Sequence, residues 1–420
     1  MDNPVSGDIF SGMTHSDVLI IGGSLNGNTL ALALAQAGIR STIIDALPAQ
    51  TQQSDRFDGR SYALALASVR MLGALGLWDQ MAPNAQPMMQ IKVSDGRPGE
   101  GPVLPFSLQF DQSELEEGPM GHMVEDRHLR PALLEAVLAE PLIELRDDLR
   151  VVSQNVENSG TKVALDNGDE LSASLIVGAD GKRGPTAERA GIRRKVTDYG
   201  QSALVCAIGH ELSHQGVAHQ FFMPSGPLAI LPLRNNRSSI VWTEKTADAQ
   251  AVQALDDGDY LDVLYPRFGD FLGDIHLAGD RFIYPLTLSM ADAFTADRVA
   301  LVGDAARAVH PLAGQGLNAG FRDVAALAET LADARRRGED IGGATVLDSY
   351  ALWRRSDSET LACATHGFNR LFSSDHPLLR LGRDLGMGAV NAIPALRRGL
   401  MREAAGLTGD VPRLLQGKPI

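Results

Sequence analysis

The chain has 420 residues, 44% of them hydrophobic, and a formal net charge of −14. That length allows two or three folded units with full cores, and the negative charge argues against a nucleic-acid partner, whose phosphates need a basic face. Cys206 and Cys363 stand far apart, with no CxxC and no Cys/His cluster of zinc spacing, so no metal site is expected and both thiols read as reduced and inert in a reducing, cytoplasmic compartment. Residues 1–15 read as a flexible polar N-terminus without the order of a secretory signal, and no apolar run reaches the roughly 18 residues of a membrane span.

The first structured element is a buried strand, Asp17-Val-Leu-Ile-Ile-Gly22. It stops at Gly22-Gly23-Ser24-Leu25-Asn26-Gly27, and an Ala/Leu-rich helix follows and ends at Gly38. A second strand, Ser41–Ile44, closes on Asp45. Strand, tight turn, helix, strand and acid together make a βαβ dinucleotide cradle. Gly22 permits the turn, Gly27 lets the helix pack against the strand, and the helix N-terminus offers free N–H groups to a pyrophosphate. Asp45 stands where a carboxylate accepts from a ribose. Ser24 replaces the usual middle glycine; it is small, and its hydroxyl can donate to phosphate, so binding is expected to survive. The alternative is a structural βαβ unit without a ligand.

Two further strand ends carry acids. Leu175–Gly178 runs into Ala179-Asp180-Gly181, and Val299–Val302 runs into Gly303-Asp304. A loop, His310-Pro311-Leu312-Ala313-Gly314-Gln315-Gly316-Leu317-Asn318, then opens an Ala-rich helix. One Asp after a strand is often only a turn former, but three such strand ends in this order are hard to explain as turns.

These three motifs resemble those of the single-component FAD-dependent aromatic hydroxylases, with a para-hydroxybenzoate-hydroxylase-like fold. The stretch His310–Asp323, with Phe57-Asp58-Gly59-Arg60, Leu75-Gly76-Leu77-Trp78, Asp126-Arg127, Leu129-Arg130 and Leu371-Phe372-Ser373, looks closest to the ring hydroxylases of ubiquinone biosynthesis. The resemblance implies FAD as cofactor, NAD(P)H as reductant, O2 as co-substrate and a flavin C4a-hydroperoxide as oxygen donor. It places Arg60 near the pyrophosphate, Arg127 near the ribityl chain and ring, the backbone of Val151 at the adenine, and Asp304 on the ribityl chain. Asp180 would brace the cofactor, and the loop through Gly314, Gln315, Gly316, Leu317 and Asn318 would line the flavin ring. Backbone N–H groups at Gly314, Gly316 and the helix opening suit the negative charge of a reduced flavin. His310, beside Pro311 and Gly316 in this loop, is the candidate proton acceptor; a structural histidine before a proline is the equal alternative.

The fold expected is α/β: a discontinuous Rossmann-like FAD-binding domain (16–82, 114–194 and 289–365) with an inserted mixed or antiparallel β-sheet substrate domain (83–113 and 195–288). Phe221, Phe222 and Met223 are candidate substrate-pocket residues, with plain sheet core as the commoner role. The segment 366–420 is expected to be helical and holds eight basic residues against four acids. Such a stretch either packs on the FAD domain or docks on an anionic membrane surface, a lipid carrier or a biosynthetic-complex protein. A polyprenylated phenol is the substrate this subfamily implies. A small soluble phenol, a flavin-binding prenyl reductase and a non-catalytic scaffold remain alternatives.

Overall fold

A computed structural model describes residues 15–95, 108–157, 160–267, 269–309, 314–355 and 390–420. The strand His15–Ile21 lies between two parallel neighbours, Ser41–Ile44 and Glu170–Gly178. Val299–Leu301 continues the sheet beyond Glu170–Gly178, and Ile143–Arg146 continues it beyond Ser41–Ile44, both in parallel. These runs are apolar because helices cover one face and packed strands the other: Val18, Leu19, Ile20, Leu175, Ile176, Val177, Ala300 and Leu301 are all fully buried. The parallel order sends the three acid-bearing strand ends, separated by more than a hundred residues, to one edge. Their backbones lock there, with Ala179 donating to Ile21 O at 2.8 Å and Val302 donating to Gly178 O at 3.0 Å.

The helix Leu25–Gln36 follows the first strand and places Leu30 and Leu34 in the core at 0% exposure. Each such side chain contributes about 1.5–3 kcal/mol of burial. The helix ends before Gly38, whose φ of +72° no β-carbon-bearing residue adopts easily. A second long helix, Gln315–Arg336, packs beside it, and its last turn carries Arg335 and Arg336 where cations suit the dipole.

The second sheet contains nine strands among the described residues. Arg194–His210 is its longest, paired antiparallel with Arg237–Lys245 on one side and Phe282–Ala291 on the other. Gly226–Leu233 and Arg237–Lys245 form a hairpin whose turn holds Asn235 and Asn236 at φ +61° and +49°, as that dipeptide suggests. One pair departs from the antiparallel rule: Val217–Met223 runs parallel to Gln90–Asp95. The short strand Arg307–Ala308 also joins this sheet, so the chain leaves the Asp304 turn, touches the substrate sheet and then enters the long helix. Sequence reading missed a three-stranded sheet of Ser61–Ala65, Gly121–Glu125 and Gln86–Pro87.

Of the C-terminal stretch, 390–420 is described. It forms the helix Pro394–Ala404 and a turn at Arg413–Gln416. Three of the basic residues are ion-paired within the chain: Arg397 with Glu114, Arg402 with Glu117, and Arg413 with Glu329 and Asp333. Leu414 and Leu415 are buried in the main core. Cys206 is buried, and burial pushes its thiol up to about 11, so at neutral pH it is protonated and unreactive. Cys363 lies outside the described residues.

Candidate active site

A cleft of about 1030 Å³ runs along the edge where the strand ends meet and under the face of the second sheet. One part is lined by Asp45, Leu47, Leu149, Arg150, Val151 and Arg189. The middle is lined by Gly22, Ser24, Asn26, Arg130, Asp180, Gly181, Lys182 and Asp304, and the far part by Arg60, Tyr62, Ala63, Gly314, Gly316, Leu317 and the sheet.

The cradle is built by close backbone approach. Gly22 has φ +106°, and a β-carbon there would stand 2.6 Å from Ala179 O. A β-carbon on Gly27 would stand 1.8 Å from Gly22 O, so the helix can begin this close to the strand only with glycine. Asp45 accepts from Gly23 N at 2.6 Å and from Leu47 N at 2.8 Å, and each oxygen keeps a lone pair for a ligand hydroxyl. The helix opens at Ser24 with no side-chain cap and no acid in its first turn, which leaves its positive end facing the cleft. Ser24 Oγ instead accepts from Arg130 Nη1 at 3.0 Å.

Arg130 is the guanidinium at this mouth, and it was assigned no role from sequence. It is held by Asp126, which also pairs with Arg60 at 3.2 Å and accepts from Tyr62 OH at 2.8 Å. Burial foremost, then Asp126, raises the Tyr62 phenol well above its ordinary pKa. The spacing Asp126 to Arg130, one helical turn, was a signal available in the sequence. Arg60 does line the cleft, gripped by Asp58 and Asp126. Arg127 does not: it turns to Glu125 at 2.8 Å and lies over the Phe57 ring, because Glu125 is buried and needs cations. Val151, whose backbone was expected at the adenine, lines the cleft, and its carbonyl accepts from Arg189 Nη2 at 2.7 Å.

Asp180 holds its own turn, accepting from Thr186 N and Thr186 Oγ1 through one oxygen. Its other oxygen, and Oδ1 of Asn26, are buried without a partner among the described residues. Gly303 has φ +61° and brings its turn against Asn26. Its N–H donates to Asp323, a fully buried carboxylate that also takes Arg307 at 2.9 Å and Arg354 at 2.8 Å. Asp323 was missed from sequence because nothing but the fold shows that it sits under this turn. Asp304 is exposed and lines the cleft; desolvation foremost raises its carboxyl above the ordinary range, outweighing the pull of Lys182 and Arg307.

His310 and Pro311 lie outside the described residues. Gly314 is left-handed at φ +65° and opens the long helix without a side-chain cap or a first-turn acid. Beyond its own helix and chain neighbours, a β-carbon on Gly316 would meet no atom of the described residues within 4 Å, and Gly316 lines the cleft. Leu317 lines the cleft, whereas Gln315 is not among its lining residues. Asn318 does not line it either: its amide accepts from Ala65 N and Ser68 Oγ and donates to Ala63 O and Gly314 O, pinning the loop to the strand Ser61–Ala65. Phe221 and Met223 are core, at 3% exposure each; Phe222 shares a face with Gln220 but is 8% exposed, packed with Leu108, and that face presents Gln220 to the cleft.

The site fits FAD on three counts. Glycines stand wherever a β-carbon would close the cradle, two helix N-termini converge on one cleft, and acceptors are orphaned where a polyhydroxylated chain would satisfy them. The cradle and its cleft define an FAD-binding protein. Residues 15–365 match the FAD binding domain family, and the chain belongs to it. It is 42% identical over 408 residues to the ubiquinone hydroxylase UbiL of Rhodospirillum rubrum, covering 96% of this chain and 94% of that one. It is 33% identical over 395 residues to the 3-demethoxyubiquinol 3-hydroxylase of Escherichia coli, covering 93% and 99%. Its fold is that of the p-nitrophenol 4-monooxygenase PnpA of Pseudomonas putida, with a TM-score of 0.78 at 19% identity, covering 95% of this chain and 100% of that chain.

Proposed function

We propose that this chain hydroxylates the ring of a polyprenylated phenol in ubiquinone biosynthesis, with NAD(P)H as reductant and O2 as co-substrate. The full-length similarity to ubiquinone hydroxylases carries the reading. The cleft supports it, since one continuous space joins the cradle to an apolar sheet face. Bound FAD supplies reduction by nicotinamide and activation of oxygen. The chain's own residues do the rest. The Gly22–Gly27 turn and Arg130 hold the pyrophosphate, and Asp45 and Asp304 accept from ribose and ribityl hydroxyls. The N-terminus of Gln315–Arg336 places positive potential where negative charge develops on the ring. The sheet excludes water and holds the substrate ring against the loop.

Among the described residues no helix is long and apolar enough to cross a membrane. A prenylated substrate must then reach the cleft from a membrane surface, a lipid carrier or a partner protein. The intramolecular pairing of Arg397, Arg402 and Arg413 weakens the case for the tail as an electrostatic anchor.

The test is to load the purified chain with FAD and supply NAD(P)H, O2 and a prenylated phenol, reading product mass. Gain of one oxygen atom, tracked with labelled O2, is the expected result. Flavin reduction with no oxygen incorporated into any phenol offered would defeat the reading.

A further inference from the structure

The cradle departs from the glycine pattern at Ser24, and the structure gives that departure a partner. Ser24 is the N-cap of the helix Leu25–Gln36. A serine at an N-cap ordinarily turns its oxygen to the second or third helical N–H. Ser24 makes no such side-chain cap. Its Oγ accepts instead from Arg130 Nη1 at 3.0 Å, a residue on a different helix. The first backbone bond of the cradle helix runs from Asn28 N to Ser24 O, so the N–H groups of Leu25, Asn26 and Gly27 stay out of the helical ladder.

Arg130 is divided between two duties. Nε and Nη2 donate to Asp126 Oδ1, at 3.3 and 3.1 Å, and Nη2 also reaches Tyr62 OH at 3.4 Å. Asp126 is itself shared with Arg60 and Tyr62. Nη1 carries two N–H groups, and Ser24 is its one partner among the described residues. Ser24 thus holds the free end of the guanidinium at the mouth of the cradle, where both residues line the cleft. A cation beside a helix N-terminus is repelled by the helix dipole, and no acid stands in the first turn of that helix to offset it. The contact is one that an anion seated against both groups stabilises, and a diphosphate has the charge and the acceptor oxygens to do so.

We propose that Ser24 is a positioning residue that aims Arg130 at the diphosphate of FAD, so that a side-chain pair does here what close backbone approach at a glycine does in the usual cradle. The proposal rests on the FAD reading of the cleft and gives the departure from the glycine pattern a role within it. A serine merely small enough to stand at a glycine position makes a different prediction: restoring glycine would leave FAD binding unchanged or tighten it. The Ser24–Arg130 pair predicts the reverse. Without the hydroxyl, Nη1 is released from the mouth, and Asp126 and Tyr62 alone govern the guanidinium.

The test titrates the full chain, stripped of flavin, with FAD at low and high salt, reading the change in flavin fluorescence. Ser24→Gly and Ser24→Ala should each weaken FAD by about three- to tenfold, and Ser24→Thr, which keeps the hydroxyl, should stay within about twofold of wild type. Arg130→Gln should weaken FAD at least as much and flatten the dependence on salt, since the charge is gone. On the Arg130→Gln background, Ser24→Ala should cost less than about twofold, because a residue that acts through Arg130 has nothing left to position. Ser24 is exposed, so its variants should unfold at the wild-type temperature without FAD, which marks the loss as one of binding. Wild-type or tighter affinity in Ser24→Gly, or an equal loss from Ser24→Ala with Arg130 present and absent, overturns the proposal and leaves the FAD site standing. Should the wild-type chain bind no FAD, the FAD reading itself falls, and the proposal with it.

Discussion

Asp304 shows how a single residue here serves binding at the expense of the empty protein. It makes no hydrogen bond to a described residue, and desolvation foremost holds its carboxyl above the ordinary range. The folded protein without cofactor therefore keeps this proton more tightly than the unfolded chain does. The group's contribution to stability is greatest below the ordinary carboxylate pKa and is lost as pH rises through the raised value. Because Asp304 is exposed in the cleft, water screens much of this effect, so Asp304→Asn should melt only slightly higher than wild type at neutral pH without FAD, and the difference should shrink toward acid pH. The same variant should bind FAD more weakly. Thermal unfolding across pH, with and without FAD, checks both; a pH-independent difference would count against this account. Asp323 is the opposite case, a carboxylate whose three partners are all protein, so its role is to fix the turn on which Asp304 stands.

At the scale of elements, two helices begin at the cleft and do so through different glycines. Gly27 is enclosed by backbone, whereas Gly316 faces open space. Substitution should separate the two roles. Gly316→Val should leave the stability of the FAD-free protein within about 1 kcal/mol of wild type, since only helix propensity changes, yet reduce FAD affinity by filling the space above the loop. Gly27→Val should destabilise the protein with or without FAD, by about 1–3 kcal/mol or more, because the strand must move. Unfolding curves paired with FAD titration distinguish these outcomes. Loss of FAD-free stability in the Gly316 variant would mean that the loop is protein-packed after all.

The whole molecule is joined through its C-terminus. Leu414 and Leu415 are buried against the helix Leu66–Ala74 and the long helix, and Arg413 reaches Glu329 and Asp333. The last turn is therefore part of the FAD domain's core. Leu414→Ala should cost about 2–5 kcal/mol, read as a lowered midpoint in denaturant with an unchanged slope. A cost under about 0.5 kcal/mol would show that the turn is only draped on the surface.

Read alone, the residues between Asp17 and Asp45 determine a βαβ cradle, because period, turn chemistry and helix composition agree within one short segment. The strand ends at Asp180 and Asp304 are equally local, and so is the hairpin turn at Asn235-Asn236. What sequence could not supply was which side chains of a strand or helix face the cleft, since that depends on the partners each face meets. A shift of one residue along a strand separates Gln220, in the cleft, from Phe221, in the core. One helical turn likewise separates Arg127, drawn away to buried Glu125, from Arg130 at the cradle. The side chain of Asn318 is a further case: Ala63 O and Ala65 N of the strand Ser61–Ala65, Ser68 Oγ and Gly314 O take up its amide. Local spacing determined the cofactor's cradle; the sheet wall of the cleft was decided by tertiary structure, because which side chains face it depends on how the strands pair and pack.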